Sequence, residues 1–173
     1  MISDNFTELW DIYDKNLHKI GTKHRYETLD PGEFHLVVNA FIFSNDNHVL
    51  LQQRSVAKLN HPQKWDCSAG GSALVGEDGC TAIIREINEE LGLNVNPEQT
   101  TFILRNEKNS WVEDWFAIKI DFKVDQLKLQ SDEVQQVNLF DRLTAQEKLT
   151  RLGVRPYVRE LKKAFAAVIQ KNE

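Results

Sequence analysis

The sequence predicts an α/β domain in which helices pack on a mixed β-sheet. Strand-like and helix-like segments follow one another in irregular order, without the regular strand–helix–strand alternation of an all-parallel sheet. Hydrophobic residues make up 41% and charged residues 27% of the 173 positions, values typical of globular proteins that build a core. Because no internal repeat or linker-like stretch interrupts the chain, we expect one domain over residues 1–173, with segment 1–33 packing on its core.

Strand and turn patterns dominate the first half of the chain. Four segments are strand candidates there: Trp10–Asp14, His35–Ser44, His48–Ser55 and Lys64–Ala69. The second and third candidates are rich in β-branched, Leu and Phe residues and flank Asn45-Asp46-Asn47, which predicts a β-hairpin. The turn sequence Asp30-Pro31-Gly32 precedes this hairpin, and the fourth candidate runs into Gly70-Gly71.

The second half combines helices with further strands. A helix is predicted over Asp78–Leu91, because apolar residues recur there at helical spacing and Gly92 follows as a stop signal. Three more segments are strand candidates: Thr100–Arg105, Trp111–Phe122 and Val134–Phe140. Pro156 suits the first turn of a last helix. The apolar residues of that helix are expected on one side: Tyr157, Leu161, Phe165, Val168 and Ile169.

The charge balance and the cysteine content exclude several function classes. Lys and Arg number 21 against 26 Asp and Glu, so the net charge of −5 argues against a broad nucleic-acid surface. The longest apolar stretch, Leu36–Phe43, is far shorter than the roughly 20 residues of a membrane span. The N-terminus lacks the pattern of a secretory signal. Cys67 and Cys80 form neither a metal-type nor a redox pair, so we expect a cytoplasmic protein with free thiols.

Three glutamates on the predicted Asp78–Leu91 helix carry the strongest chemical signal. Glu86, Glu89 and Glu90 lie at i, i+3 and i+4, so their carboxylates are neighbours and repel one another. A solvated acidic face is one explanation. A hard divalent cation with oxygen ligands is the other. The preceding Gly70-Gly71 favours the cation, since glycine lets the backbone approach a ligand closely and point a carbonyl at a metal.

Segment Gly71–Leu93 resembles the signature box of the Nudix hydrolases. It reads GSALVGEDGCTAIIREINEELGL and satisfies nine constrained positions of that box: Gly71, Glu77, Arg85, Glu86, Ile87, Glu89, Glu90, Gly92 and Leu93. The resemblance implies the Nudix fold, an α/β/α sandwich with a mixed central sheet. It also implies Mg²⁺- or Mn²⁺-dependent hydrolysis of a small-molecule diphosphate substrate, and it leaves a homodimer open.

The same resemblance implies a role for each matched polar residue. The metal would be held by three carboxylates of the catalytic centre and by one carbonyl: Glu86, Glu89, Glu90 and Gly70. Three residues would orient and brace the loop and the helix: Arg85, Glu77 and Gly71. Such ions would offset the repulsion between the glutamates, neutralise phosphate charge and lower the pKa of an attacking water.

The region upstream of the box resembles isopentenyl diphosphate isomerases and the hydrolases similar to them. His35 stands where the isomerases carry a metal-binding histidine, and Arg54 and Lys58 stand where two basic residues hold the diphosphate. These types suit phosphate chemically, although a structural histidine and ordinary surface cations are the alternatives. Gly70 and Ser72 occupy the positions of the isomerases' catalytic cysteine and a further metal-binding histidine. The intact box together with these two residues favours hydrolysis over isomerisation.

Acidic residues after the box are further candidates. Glu133 lies in an Asp-Glu-Val element and is either a base for water, an extra metal ligand or part of a polar turn. Glu113 and Asp114 lie near the place where isomerases supply acidic metal ligands. We therefore predict a Mg²⁺-dependent diphosphate hydrolase. An isopentenyl diphosphate isomerase and a non-catalytic metabolite-binding module are the alternatives.

Overall fold

The structure is a computed structural model that describes residues 5–170, in which helices pack on both faces of a mixed sheet. Within these residues the strands β1 to β9 are Leu9–Tyr13, Lys19–His24, Phe34–Phe43, Val49–Arg54, Trp65–Asp66, Ala69–Ser72, Thr100–Glu107, Trp111–Lys119 and Val134–Phe140. The helices α1 to α3 are Gly79–Leu91, Arg142–Leu152 and Val158–Gln170. Two short 3-10 helices precede β7 and β9: Pro97–Gln99 and Val124–Gln126.

Strand β3 is the centre of the sheet, because its apolar run can be buried on both faces. Along one edge it pairs with β8 in parallel, from His35 opposite Trp111 onward. Its other edge is shared by three antiparallel strands in succession: β1 at its start, β6 in the middle and β4 at its end. Strand β4 pairs with β3 only at Val49 and Leu50 and then with β5 at Gln52 and Gln53, whereas β9 pairs with β4 along its whole length. Among the described strands β6 pairs with β3 alone, so the sheet is open between β6 and β4.

Two apolar layers attach the helices to the sheet. Successive side chains of β3 point to opposite faces, so Ile42 joins a cluster with Ile83 and Ile87 of α1. On the other face Phe43 meets Phe165 of α3 edge to face, with ring centres 4.8 Å apart. This α/β/α arrangement confirms the predicted fold class.

Most of the predicted elements are confirmed with shifted ends, including the β3–β4 hairpin, α1 and the three strands of the second half. Lys64–Ala69 is not one strand, since Trp65–Asp66 pairs with β4 whereas Ala69–Ser72 pairs with β3. Between them Ser68 bonds both neighbouring strands, since its N–H donates to the Ala40 carbonyl of β3 and its hydroxyl to the Leu50 carbonyl of β4. Ile169 was wrongly expected on the buried side of α3, for it is 51% exposed. Strand β2 and helix α2 lack long apolar runs and were not predicted from the sequence.

The β1–β2 hairpin is fastened to the loop that follows β6. Backbone Val75 N donates to Leu9 O over 2.8 Å, and Gly76 N donates to the Asp11 carboxylate over 2.9 Å. The hairpin therefore lies beside the acidic helix rather than apart from it. None of the helices within residues 5–170 has the length and apolar character needed to cross a membrane.

Candidate active site

Helix α1 is aligned by its two ends and its apolar stripe. Asp78 accepts a hydrogen bond from the Thr81 backbone over 2.7 Å at the first turn, which satisfies a backbone donor left open there. Gly92 ends the helix in a left-handed conformation with φ 68°, where glycine is preferred. Ile83 and Ile87 are fully buried against the sheet. The helix therefore presents its glutamates beside the glycine strand β6.

The two glycines of β6 allow this close approach. A Cβ placed on Gly71 would lie 2.5 Å from the carboxyl carbon of Glu86, far inside van der Waals contact. The backbone N–H of Gly70 donates to Glu90 Oε2 over 3.2 Å. Only glycine at position 71 leaves the Glu86 carboxylate where it is, which gives this matched position a direct physical role.

Arg85 holds the acidic side chains together. Its guanidinium bonds both carboxylate oxygens of Glu77, at 2.8 and 2.9 Å, and contacts Glu86 at 2.9 Å and Glu89 at 3.0 Å. It also donates to the carbonyl of Ser72 over 3.0 Å. Glu77 in turn accepts the backbone N–H of Leu74 over 2.9 Å. Arg85 and Glu77 thus connect the helix to the loop after β6.

Burial sets the electrostatics of the glutamates. Burial raises the pKa of Glu86 to about 7, against the attraction of Arg85. Burial and the charge of Glu86 raise the pKa of Glu90 well above its usual value, since Glu90 is only 5% exposed. Glu89, in contrast, has a half-exposed side chain. Ionisation of Glu86 and Glu90 therefore costs free energy, and a bound cation would offset that cost.

One cavity of about 450 Å³ brings the predicted site together. Its walls include most of the residues singled out from the sequence: Gly70, Gly71, Arg85, Glu86, Glu89, Glu90, Arg54, Lys58 and Glu133. Lys58 Nζ lies 2.5 Å from Glu133 Oε2. Arg54 donates to the Asn60 carbonyl over 3.0 Å and lies 3.3 Å from Asp66. Cations and carboxylates thus share one cavity, which suits a phosphate chain accompanied by metal ions.

His35, Glu113 and Asp114 lie elsewhere. The His35 ring stacks on Trp10 with centres 4.1 Å apart. Glu113 is almost fully buried, where it contacts Arg155 at 2.5 Å and accepts the Trp111 ring N–H at 3.0 Å. Asp114 receives two bonds from one guanidinium, that of Arg105, at 2.5 and 2.7 Å. None of the three lines the acidic cavity, so their roles as metal ligands remain predictions.

The donor set of the cavity fits a hard divalent cation. Among residues 5–170 no three His, Cys, Asp or Glu side chains form a ready metal-binding group. Arg85 bonds Glu86 and Glu89, and the Gly70 N–H bonds Glu90. The buried Oε1 of Gln52, however, has no hydrogen-bond partner, and its Nε2 donates to Glu90 over 3.2 Å. Buried carboxylates of raised pKa next to an unsatisfied amide oxygen are oxygen donors that Mg²⁺ accepts.

A second cavity of about 720 Å³ adjoins the first and shares Arg54, Gly70 and Ser72 with it. It lies over the face of β3 that carries Val37 and Asn39. Its walls combine ionic and polar groups with apolar ones in about equal measure: Asp66, His61, Lys108, Glu113, Arg155 and Tyr157 on the one hand, Val37, Trp111 and Val154 on the other. The two cavities are therefore neighbours that meet at β6.

The fold is a mixed sheet between helices, and the site is a helix with three glutamates packed against the glycines of β6. Together they point to one protein family. Residues 33–161 match the NUDIX domain family, and the chain belongs to that family. The resemblance drawn from Gly71–Leu93 is confirmed by this match.

Related proteins agree with the family. The chain is 37% identical over 146 residues to an uncharacterized Nudix hydrolase of Listeria innocua, with 84% of each chain covered. It is 32% identical over 87 residues to an isopentenyl-diphosphate Delta-isomerase of Streptomyces avermitilis, covering 50% of this chain and 44% of that protein. The crystal structure of DR0079 from Deinococcus radiodurans has a TM-score of 0.73 at 17% identity, covering 91% of this chain and 99% of that one, a likeness of fold.

Several residues that line the acidic cavity or bond its carboxylates were not predicted from the sequence, among them Glu8, Arg25, Gln52 and Asn60. Gln52 and Asn60 have no sequence pattern that marks them, since Gln52 is a single polar residue within β4 and Asn60 lies in the loop between β4 and β5. Glu8 and Arg25 belong to the N-terminal segment, which was expected only to pack on the core. Their contribution depends on how the β1–β2 hairpin docks.

Proposed function

We propose that this Nudix hydrolase cleaves the diphosphate bond of a small-molecule metabolite with the help of Mg²⁺ or Mn²⁺. The proposal rests on one observation. Two buried glutamates of raised pKa, Glu86 and Glu90, share a cavity with Arg54 and Lys58, side chains of the kind that bind phosphate. Carboxylates alone would repel a diphosphate, and the cations alone would bind it without hydrolysing it. Their combination supports metal-assisted hydrolysis.

The metal would be held by oxygen ligands of the acidic helix and the glycine strand: Glu86, Glu89, Glu90 and the carbonyl of Gly70. When bound, it would neutralise phosphate charge and lower the pKa of a nearby water. Binding would also relieve the repulsion between Glu86 and Glu90, whose pKa values are raised.

The remaining chemistry belongs to the cavity walls. Arg54 can form forked bonds to phosphate oxygens, and Lys58 supplies a compact charge. Because Lys58 lies 2.5 Å from Glu133, a phosphate that attracts Lys58 would release the Glu133 carboxylate. Glu133 is then our candidate to accept a proton from the attacking water.

The second cavity is the place we propose for the group attached to the diphosphate. Its walls carry ion pairs such as Arg155 with Glu113. Covering such groups with a hydrocarbon would remove water from them without replacing its hydrogen bonds. The ion-paired part of these walls suits a group bearing hydroxyls or amides, while Val37, Trp111 and Val154 offer that group apolar contact.

The isomerase alternative lacks its acid–base group in this site. Gly70 and Ser72 stand where the isomerases carry a cysteine and a histidine. Cys67, the nearest thiol in sequence, is 2% exposed, and burial raises its pKa well above the ordinary value. It donates to the Ala69 carbonyl at 3.4 Å, which is consistent with a core residue.

The test is a panel of diphosphates that includes nucleotide sugars, dinucleotides and isopentenyl diphosphate, assayed with Mg²⁺ and with a chelator. The Glu89→Gln variant removes one proposed ligand, and Glu98→Gln is the matched control, since Glu98 is exposed and lies outside both cavities. We expect chelator and Glu89→Gln to abolish hydrolysis and Glu98→Gln to leave it intact. Hydrolysis that survives both chelator and Glu89→Gln would refute the proposal.

The same panel separates the two alternatives. Exchange between the isomers of isopentenyl diphosphate, without phosphate release, would identify an isomerase. Tight binding of one diphosphate with hydrolysis of none would identify a non-catalytic binding module.

A further inference from the structure

Gln52 is a buried polar side chain that reaches from the sheet to the acidic helix. It lies in strand β4 and is only 3% exposed. Successive side chains of a strand point to opposite faces, so Gln52 shares its face with Leu50, which belongs to the apolar cluster around α1. The amide is therefore a polar exception on an apolar face, and its Nε2 donates to Glu90 Oε2 over 3.2 Å.

Two donors hold one oxygen of the Glu90 carboxylate. Gln52 Nε2 and the backbone N–H of Gly70 both bond Oε2, each over 3.2 Å. The second oxygen, Oε1, accepts no hydrogen bond from residues 5–170. Bonds to one oxygen restrict how the carboxylate can turn, so they also fix the direction of the other oxygen. Glu90 thus lines the acidic cavity in a defined orientation, with one oxygen left for a cation.

Both donors to Glu90 are uncharged, unlike the partner of the two neighbouring glutamates. Glu86 and Glu89 are bonded by the guanidinium of Arg85, at 2.9 and 3.0 Å. A guanidinium offsets part of a carboxylate's charge and competes with a metal ion for it, whereas an amide orients the carboxylate and leaves its charge in place. The bond from Gln52 therefore orients Glu90 without weakening its attraction for a cation.

The other end of the Gln52 amide agrees with this role. Its Oε1 is buried and has no hydrogen-bond partner among the described residues. A buried acceptor without a partner costs free energy, so a glutamine that served the fold alone should have both ends of its amide paired. The bond to Glu90 is thus the contact that explains an amide at this position. A cation that keeps part of its water shell, as Mg²⁺ does, would bring donors for the unpaired oxygen.

We propose that Gln52 is a positioning residue of the metal site, whose amide N–H holds Glu90 in the orientation in which that carboxylate binds the cation. The inference rests on the proposed function, in that Glu90 is one of the metal ligands there. Residues that orient metal ligands commonly affect metal affinity almost as much as the ligands themselves. Gln52 acts through Glu90 and needs no contact with the substrate.

The test measures metal binding apart from turnover. Mn²⁺ is titrated into the metal-free protein, and the free ion is quantified by electron paramagnetic resonance. Gln52→Met and Gln52→Leu remove the amide but keep a side chain that fits a buried position. Gln53→Met is the matched control, because Gln53 is the next residue of the same strand, bonds the Gln63 carbonyl over 2.8 Å and lines neither cavity.

We expect both Gln52 variants to bind Mn²⁺ about ten- to hundredfold more weakly, the loss typical of a partner that orients a metal ligand. Gln53→Met should bind Mn²⁺ as the wild type does. Urea unfolding without metal should change little in the Gln52 variants, because the lost hydrogen bond is accompanied by the removal of an unpaired buried oxygen. Combining Gln52→Met with Glu90→Gln should weaken binding no further than Glu90→Gln alone, since the two residues act as a unit.

Wild-type Mn²⁺ affinity in a folded Gln52→Met or Gln52→Leu variant would overturn the inference, even if the protein proves to be a hydrolase. Additive losses in the double variant would overturn it as well, because Gln52 would then not act through Glu90. A wild type that binds no Mn²⁺ would overturn the inference together with the proposed function. If the wild type binds Mn²⁺, the Gln52 variants lose it and the panel reveals no hydrolysis, the proposed activity fails and the role of Gln52 stands.

Discussion

Alanine substitution at the two glycines of β6 should separate catalysis from stability. In Gly71→Ala the new methyl would lie 2.5 Å from the carboxyl carbon of Glu86. Ordinary contact requires about 3.5 Å, so the carboxylate must move by about 1 Å. The obstacle is the end of a flexible side chain, and we expect a loss of stability below about 1.5 kcal/mol. A displacement of that size in the reacting centre should lower kcat/KM by about a hundredfold.

Gly70→Ala meets a different obstacle. Its methyl would lie 2.7 Å from the backbone carbonyl of Val38 and 2.7 Å from the Asn39 side chain. Because the carbonyl belongs to the central strand, relief requires a backbone shift in the middle of the sheet. We expect a loss of about 1–3 kcal/mol, larger than for Gly71→Ala. Gly21→Ala on the exposed strand β2 meets no atom within 4 Å and is the control.

The assay combines urea unfolding of each variant with hydrolysis of the substrate found in the panel. The expected order of destabilisation is Gly70→Ala, then Gly71→Ala, then Gly21→Ala. Gly71→Ala alone should be nearly as stable as the wild type and still almost inactive. Full activity in a folded Gly71→Ala protein would refute the reasoning, because it would mean that the position of the Glu86 carboxylate is not critical.

Three further predictions concern charge and metal. Burial, and then the charge of Arg25, lower the pKa of His35 to about 4. The stability that the neutral ring contributes is therefore complete above the ordinary histidine pKa of about 6.5 and is lost as the pH falls through 4. In urea unfolding, His35→Gln should remove up to about 3 kcal/mol of this pH dependence. Glu113→Gln removes a charged hydrogen bond to Arg155, whose side chain is 41% exposed, and should destabilise by about 2 kcal/mol. An unchanged Mg²⁺ affinity in calorimetry would argue against a ligand role. Mg²⁺ at a hundred times its Kd should raise the free energy of unfolding of the wild type by about 2.7 kcal/mol. The same gain for Glu90→Gln at the same Mg²⁺ concentration would argue that Glu90 is not a ligand.

The sequence predicted the acidic helix because its information is local. Glu86, Glu89 and Glu90 share one side of any helix that spans them, whatever surrounds it. The β3–β4 hairpin was equally accessible, since two apolar runs around Asn45-Asp46-Asn47 have few other ways to pair.

Interruptions and surface elements were harder to predict. The break within Lys64–Ala69 arises because Trp65–Asp66 and Ala69–Ser72 pair with different strands, and no local pattern signals a change of partner. Helix α2 has few buried residues, chiefly Ala145 and Leu149, so its apolar periodicity was too weak to identify it.

By itself, the sequence determined the family, the helical cluster of glutamates and the glycines before it, because each is a matter of residue type and spacing. Tertiary structure decided which other side chains join them. Arg25 and Glu133 are 108 residues apart in the chain, yet they line the same cavity. Glu113 shows the opposite case, because the fold places it outside the acidic cavity and surrounds it with Arg155 and the Trp111 ring N–H. Long-range strand pairing creates these neighbours, and the chemistry of a carboxylate depends on the neighbours it receives.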